Sequence, residues 1–150
     1  MSSSAAEQNA TLVRSLLEIL NEGGSKAVLA RVEEFGDPEI EWRGVAAGRR
    51  APGGDVVYRG YAGLKRVWED IEEVFEEIKF EDIRVEAQGD EVVLALVEVS
   101  GTGHGSGLHL EQEMGIVYRF REGRIISGEN FASHSEATES AQRLAAGARR

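Results

Sequence analysis

The chain has 150 residues, the size of one ordinary domain with a hydrophobic core of its own. Its 17 lysine and arginine residues stand against 27 aspartate and glutamate residues, a net charge of −10 that makes nucleic acid and anionic membranes unexpected partners. The sequence contains no cysteine, which excludes disulfides, thiolate metal sites and a cysteine nucleophile.

The start of the sequence has neither a basic region nor an apolar stretch, so we expect no signal peptide. The longest apolar runs fall far below the roughly 18 residues that a membrane helix needs. A cytoplasmic protein is therefore expected.

Two helices are predicted in the first quarter of the chain, after a tail at residues 1–8. Apolar residues recur at helical spacing from Leu12 to Leu20, and the glycines within residues 21–24 favour a helix end there. Ser25 is a suitable cap for a second helix, which Gly36-Asp37-Pro38 would end.

A short strand, a long loop and a third helix are predicted next. Residues 40–43 suit the strand, and the glycine-rich residues 44–57 suit the loop. The helix begins at Gly60 and carries one apolar stripe, formed by Leu64, Val67, Trp68, Ile71, Val74, Phe75 and Ile78. The acidic residues between them indicate a solvated helix face rather than a cation site.

After Lys79 the apolar residues alternate with a period of two, which predicts strands. Four strands are expected, over residues 80–87, 91–100, 108–121 and 124–132. A glycine-rich connection at residues 101–107, a C-terminal helix at 133–146 and a tail at 147–150 complete the single domain of residues 9–146. This order predicts an α+β fold in which helices pack on one face of a curved antiparallel sheet.

The two longest strands predict which side chains face the interior. On the strand of residues 108–121, one alternating set is mainly apolar and is expected to face inward, namely Gln112, Met114, Ile116, Tyr118 and Phe120. On the strand of residues 91–100, both alternating sets are apolar, so we expect both faces of the sheet to be covered there. The sheet of a second copy of the chain could cover the outer face. Glu98 on a covered face would be costly unless it is paired or hydrogen-bonded.

Several short motifs follow one another along residues 10–140. They are Asp37-Pro38-Glu39-Ile40-Glu41-Trp42, Tyr58-Arg59-Gly60-Tyr61-Ala62-Gly63-Leu64 with Val67-Trp68, residues 103–107, Glu111-Gln112-Glu113 and residues 120–126. Together they resemble the SnoaL-like branch of the nuclear transport factor 2-like superfamily. The resemblance implies a cone-like sheet wrapped around three N-terminal helices, an internal cavity and a homodimer. The family hosts polyketide cyclases, ketosteroid isomerases, limonene epoxide hydrolases and proteins without known activity, so the fold does not decide the function.

Two of these activities are disfavoured by the residues at the positions that the resemblance assigns. A ketosteroid isomerase needs a tyrosine, a protonated acid and a carboxylate base, and this chain has Leu16, Ile116 and either Glu41 or Trp42 there. A limonene-type epoxide hydrolase needs an Asp–Arg–Asp group with Tyr and Asn. Its positions here carry Glu98, Leu96, Asn130, Trp42 and Gly44, so the arginine is missing.

A cyclase of the SnoaL type has one candidate base in this chain. Glu129 lies nearest the family's acid position, but it alternates with Asn130, which the resemblance places inward. Glu98 is then the carboxylate expected inside, where it could act as general base. Its pairing with an arginine is the structural alternative.

The three histidines predict no metal site. The spacing of His104 and His109 matches no compact ligand signature, and His134 follows the last strand. We expect histidines at the surface or rim, with His104 the one that could fold over the cavity opening. Neither a metal nor a cofactor is expected.

The leading hypothesis is a SnoaL-like protein, of unassigned biological role, that binds a small, mostly apolar molecule in its cavity. The expected contacts are Trp42, Tyr58, Trp68, Gln112, Met114, Ile116, Tyr118 and Asn130. The alternative is a cofactor-independent cyclase or isomerase with Glu98 as general base. A third hypothesis is a protein-interaction module that uses the outer sheet face. A homodimer is expected, and no nucleic acid or membrane.

Overall fold

The computed structural model describes residues 4–44 and 56–148, which form four helices and six strands. The helices are α1 (Ala5–Leu29), α2 (Val32–Phe35), α3 (Gly60–Val74) and α4 (His134–Ala148). The strands are β1 (Gly36–Gly44), β2 (Val56–Arg59), β3 (Phe75–Ala87), β4 (Val92–Gly103), β5 (His109–Arg121) and β6 (Arg124–Phe131). β4, β5, β6 and α4 match the predicted elements to within three residues at each end.

The six strands form one curved sheet in the order β2-β1-β6-β5-β4-β3. β3 to β6 pair antiparallel in chain order, as the predicted meander requires. β1 pairs antiparallel with β2 but parallel with β6. The α+β fold is thereby confirmed, with one parallel pairing that the sequence did not predict.

The sheet has a hydrophobic core on each of its faces. On the inner face, α1, α2 and α3 pack against one alternating set of β4, which includes Val93, Ala95 and Val97. On the outer face, α4 packs against the other set, which includes Leu94 and Leu96. A helix of the same chain thus covers the second apolar face of β4, which accounts for the pattern that we attributed to a dimer.

α1 begins within the segment predicted to be a tail. Ser4 caps it, since its hydroxyl accepts a hydrogen bond from the backbone N–H of Glu7. Gly24, with φ 74° and ψ −170°, interrupts the helix where an end was expected, but the helix resumes through Leu29. The predicted second helix is therefore divided between the end of α1 and the short α2.

α3 ends at Val74, and not at Ile78 as the apolar stripe predicted. Phe75 already belongs to β3, whose register with β4 shifts around Glu77. Glu77 has φ 50°, the conformation of an extra residue in a β-bulge. Because of this bulge, Phe75 and Ile78 of β3 lie three positions apart, which is also the spacing of apolar residues on a helix.

β1 begins at Gly36, whereas the predicted strand begins at Ile40. Gly36 pairs with Ile125 of β6, and the register then shifts before Glu41. Pro38 lies in this irregular stretch, where its missing N–H removes no ladder hydrogen bond. Gly36-Asp37-Pro38, which was predicted to end the second helix, therefore follows α2 and begins β1.

Parts of three predicted segments lie outside the described residues. They are residues 1–3 and 149–150 of the two tails and residues 45–55 of the long loop. The last residues of that loop form β2, and the first residues of the C-terminal tail belong to α4. Within the described ranges, no helix is both long and apolar enough to cross a bilayer.

Candidate functional site

A cavity of about 170 Å³ lies between the inner face of the sheet and the helices. Its helical wall is formed by Leu16, Leu17, Leu20, Val28 and Leu29 of α1, Phe35 of α2, and Leu64, Val67, Trp68 and Ile71 of α3. Its sheet wall is formed by Trp42 of β1, Phe75, Ile78 and Phe80 of β3, Val99, Ser100 and Gly101 of β4, Leu110, Gln112, Met114, Ile116 and Tyr118 of β5, and Ile125 and Asn130 of β6.

The described wall of this cavity carries no charged side chain. An ion that entered it would lose its hydration shell and gain no opposite charge, which costs several kcal/mol. A neutral molecule with a large apolar surface loses far less on entry, because apolar surface gains free energy when it leaves water. The wall therefore suits a neutral and mostly apolar molecule.

Most of the residues expected to contact a ligand lie on this wall, namely Trp42, Trp68, Gln112, Met114, Ile116, Tyr118 and Asn130. Four of them are alternate residues of β5, which the period of two along that strand identified. Their role in binding stays a prediction.

Tyr58 does not line the cavity. It lies on β2, opposite Trp42 of β1, and its hydroxyl donates a hydrogen bond to Asp70 Oδ2 at 2.7 Å. Burial, together with this hydrogen bond and the negative charge of Asp70, raises the pKa of Tyr58 to about 12. The hydroxyl that was expected to orient a ligand instead joins β2 to α3.

Three polar side chains of the cavity wall lie on neighbouring strands, and we call them the polar corner: Trp42 on β1, Asn130 on β6 and Tyr118 on β5. Gly128 of β6 lies opposite both Trp42 and Tyr118 in the sheet. A Cβ at Gly128 would overlap the ring of Trp42, so the missing side chain makes room for the indole. The rings of Trp42 and Tyr118 meet edge to face, with centroids 5.7 Å apart and planes at 74°.

No side chain of the polar corner has a hydrogen-bond partner among the described residues. Trp42 Nε1 is the one buried side-chain nitrogen or oxygen in these ranges that lacks a partner. Tyr118 is 5% exposed, and burial alone raises its pKa above the ordinary value, so its hydroxyl is neutral at physiological pH. The corner therefore offers unused hydrogen-bond donors beside an apolar wall.

Glu98 lies outside the cavity, which differs from its expected inward position. Val93, Ala95 and Val97 of the same strand belong to the inner core, so the opposite parity directs Glu98 to the outer face. Among the described residues, no arginine pairs with Glu98 either. Its carboxylate lies instead within 4.8 Å of ligand atoms of Glu113 and His134.

The cluster of Glu98, Glu113 and His134 was not foreseen, because it depends on the register of β4 with β5 and on the position of α4. Glu113 Oε1 accepts a hydrogen bond from the backbone N–H of His134 at 3.1 Å, which caps the start of α4. His134 Nε2 lies 2.9 Å from the carbonyl oxygen of Val97. These contacts of Glu113 and His134 dock α4 on the sheet. The three side chains of the cluster are of metal-ligating types.

The other two histidines are exposed, as expected. His104, in the turn after β4, lies 2.8 Å from the Glu76 carboxylate through Nδ1 and 2.9 Å from the Glu72 carbonyl oxygen through Nε2. These two contacts hold the turn against the end of α3. His109 lies 3.3 Å from the Glu111 carboxylate on β5.

Apart from Trp68, sequence reasoning missed the helical wall of the cavity. The apolar stripes of α1 and α3 predicted burial, but a stripe does not distinguish a packed core from the wall of a cavity. Leu16 and Ile116, which the family resemblance places at two positions of the isomerase machinery, both line the cavity. Both side chains are apolar and supply no hydrogen-bond donor.

Comparison with known proteins identifies both the family and the fold. A family model described as a SnoaL-like domain matches residues 13–128, which is more than half of the chain. A search of curated proteins finds no match.

Three similar solved structures share the fold at low sequence identity. A putative polyketide cyclase from Xanthomonas campestris pv. campestris is 20% identical, with a TM-score of 0.69 over 89% of this chain and 96% of that one. An NTF2-like protein of unknown function from Burkholderia pseudomallei K96243 is 18% identical, with a TM-score of 0.69 over 94% and 98%. A putative SnoaL-like polyketide cyclase from Jannaschia sp. CCS1 is 14% identical, with a TM-score of 0.68 over 95% and 96%.

Proposed function

Because the chain belongs to the SnoaL-like family, we propose that it binds a small, neutral, mostly apolar molecule in its inner cavity. The observation that carries this proposal is a cavity of about 170 Å³ whose lining, among the described residues, contains no charged side chain. Ligand sites in proteins are typically concave and apolar with a few polar groups that orient the ligand. The polar corner supplies such groups here.

The other two hypotheses receive less support. A cyclase or isomerase with Glu98 as general base needs this carboxylate beside the substrate, and Glu98 lies on the outer face of the sheet. An interaction module would use that outer face, where α4 already covers the apolar residues of β4. Both hypotheses therefore need a site away from the cavity.

The proposal can be tested by comparing two substitutions by tryptophan, one that fills the cavity and one that lies outside it. Ile116→Trp places an indole in the cavity wall, whereas Leu108→Trp makes a comparable change at a residue that is 65% exposed and lies outside the wall. Toluene is a suitable neutral probe, since a ligand that binds the folded state raises the unfolding temperature. We expect toluene to stabilise the wild type and Leu108→Trp, but not Ile116→Trp.

Binding is also visible in the fluorescence of the protein, because both tryptophans of the chain, Trp42 and Trp68, line the cavity. The proposal is wrong if toluene affects neither the fluorescence nor the unfolding temperature of the wild type. It is equally wrong if Ile116→Trp responds as the wild type does.

Native mass spectrometry of the freshly purified protein gives a second readout. A retained small molecule that is lost in Ile116→Trp would name the chemical class of the natural ligand. The same spectrum measures the oligomeric state, for which we propose the homodimer that the family resemblance implies.

A further inference from the structure

We infer that the molecule bound in this cavity carries a neutral carbonyl oxygen, which accepts hydrogen bonds from the Tyr118 hydroxyl and the Asn130 amide of the polar corner. This inference rests on the proposed function and specifies the chemical class of its ligand. Its basis is the pair of Tyr118 and Asn130, whose side chains line the cavity on adjacent strands and find no partner within the described residues. The described wall around them carries no charge, and its other polar residues are Trp42, Ser100 and Gln112.

The chemistry of the corner favours an acceptor over other polar groups. A tyrosine hydroxyl and an asparagine amide can both donate a hydrogen bond. A carbonyl oxygen has two lone pairs and can satisfy two of these donors without needing an acceptor in return. A carboxylate would also accept, but the described wall holds no cation to balance its charge.

The Tyr118 ring is already held in place before a ligand arrives. Gly128 leaves room for the Trp42 ring, and the edge-to-face contact with Tyr118 holds the two rings relative to each other. A buried hydroxyl without a partner is unfavourable, and a ligand oxygen within reach removes that cost. Because the Tyr118 hydroxyl needs little reordering, most of this gain contributes to affinity.

The size of the cavity limits the ligand further. An engineered protein cavity of about 150 Å³ holds benzene, and the present cavity measures about 170 Å³. One six-membered ring with short substituents therefore fills it. A longer substituent can leave past Leu110 and Gln112, which line the cavity but are also exposed.

The test uses two probes of nearly the same shape, cyclohexanone and methylenecyclohexane, which differ in C=O against C=CH2. The measured quantity is the ratio of their dissociation constants, determined by ligand-observed NMR on the same protein sample. Comparing this ratio between variants cancels the different hydration of the two probes. Tyr118→Phe removes one hydroxyl, and Asn130→Leu removes the amide at similar volume.

We expect either variant to weaken cyclohexanone relative to methylenecyclohexane by about fivefold, the usual effect of one neutral hydrogen bond. Tyr61→Phe is the matched control, because the Tyr61 hydroxyl bonds the Gly36 carbonyl oxygen and lies outside the cavity wall. The control should leave the ratio unchanged.

The outcomes separate this inference from the proposed function. If both probes bind and the ratio is the same in the wild type, Tyr118→Phe and Asn130→Leu, the cavity binds apolar molecules but the carbonyl inference is wrong. If neither probe binds the wild type, the proposed function fails as well. A ratio that changes in Tyr61→Phe as much as in Tyr118→Phe also overturns the inference.

Discussion

At the scale of single residues, a glycine determines the shape of the candidate site. Gly128 lies between Trp42 and Tyr118 on the inner face of the sheet, and the Trp42 ring occupies the space that a side chain would fill. Any Cβ at this position competes with the indole. The position of Trp42 in the cavity wall therefore depends on a residue that has no side chain.

We predict that Gly128→Ala displaces the Trp42 ring and destabilises the protein by about 1–3 kcal/mol, the usual cost of overpacking. Urea unfolding measures the stability, and a shift of tryptophan emission reports the displaced ring. Gly147→Ala is the control, because a Cβ there meets no atom within 4 Å. An unchanged emission spectrum in Gly128→Ala would contradict the assigned position of Trp42.

At the scale of elements, the outer face of the sheet divides into an apolar part and an acidic part. α4 covers the apolar part, where Gly115 lets the helix approach closely, since a Cβ there would overlap Ala137. Beyond the helix, Glu81, Glu98 and Glu113 lie opposite one another on β3, β4 and β5. Like charges directly opposite on neighbouring strands repel each other.

We predict that Glu98→Gln raises the free energy of unfolding by about 0.5 kcal/mol at low ionic strength, because it removes the central charge of this row. Salt should reduce the difference, since it screens exposed charges. Glu86→Gln is the matched control, because Glu86 lies on β3 opposite Leu94 rather than opposite an acid. Toluene binding should not change, and a loss of stability in Glu98→Gln would contradict this role.

At the scale of the whole molecule, the tyrosines make stability depend on alkaline pH. Burial and the contact with Asp70 raise the pKa of Tyr58 from 10.0 to about 12, so the folded state keeps this proton where the unfolded chain has lost it. The contribution to stability is fully present below pH 10 and is lost as the pH rises towards 12. Burial of Tyr118 acts in the same direction.

We therefore predict that the free energy of unfolding falls between pH 10 and 12, and that it falls less steeply in Tyr58→Phe. Urea unfolding at a series of pH values measures both slopes. Tyr61→Phe retains Tyr58 and should follow the wild type. Equal slopes in the wild type and Tyr58→Phe would show that the Asp70 contact does not hold the proton.

The sequence by itself determined the fold class and one wall of the candidate site. On β5 only one alternating set is apolar, so local periodicity was sufficient to place Gln112, Met114, Ile116 and Tyr118 on the inner face. The family resemblance followed from motifs that are also local in sequence, and the match over residues 13–128 confirms it.

Only the tertiary structure decided the features that depend on packing between distant segments. Both alternating sets of β4 are apolar, so the inner position of Val97 and the outer position of Glu98 followed from where the helices pack. Likewise, the bulge at Glu77 made the start of β3 resemble the end of a helix. A periodic pattern records that a residue is buried, but the partner that buries it lies elsewhere in the chain.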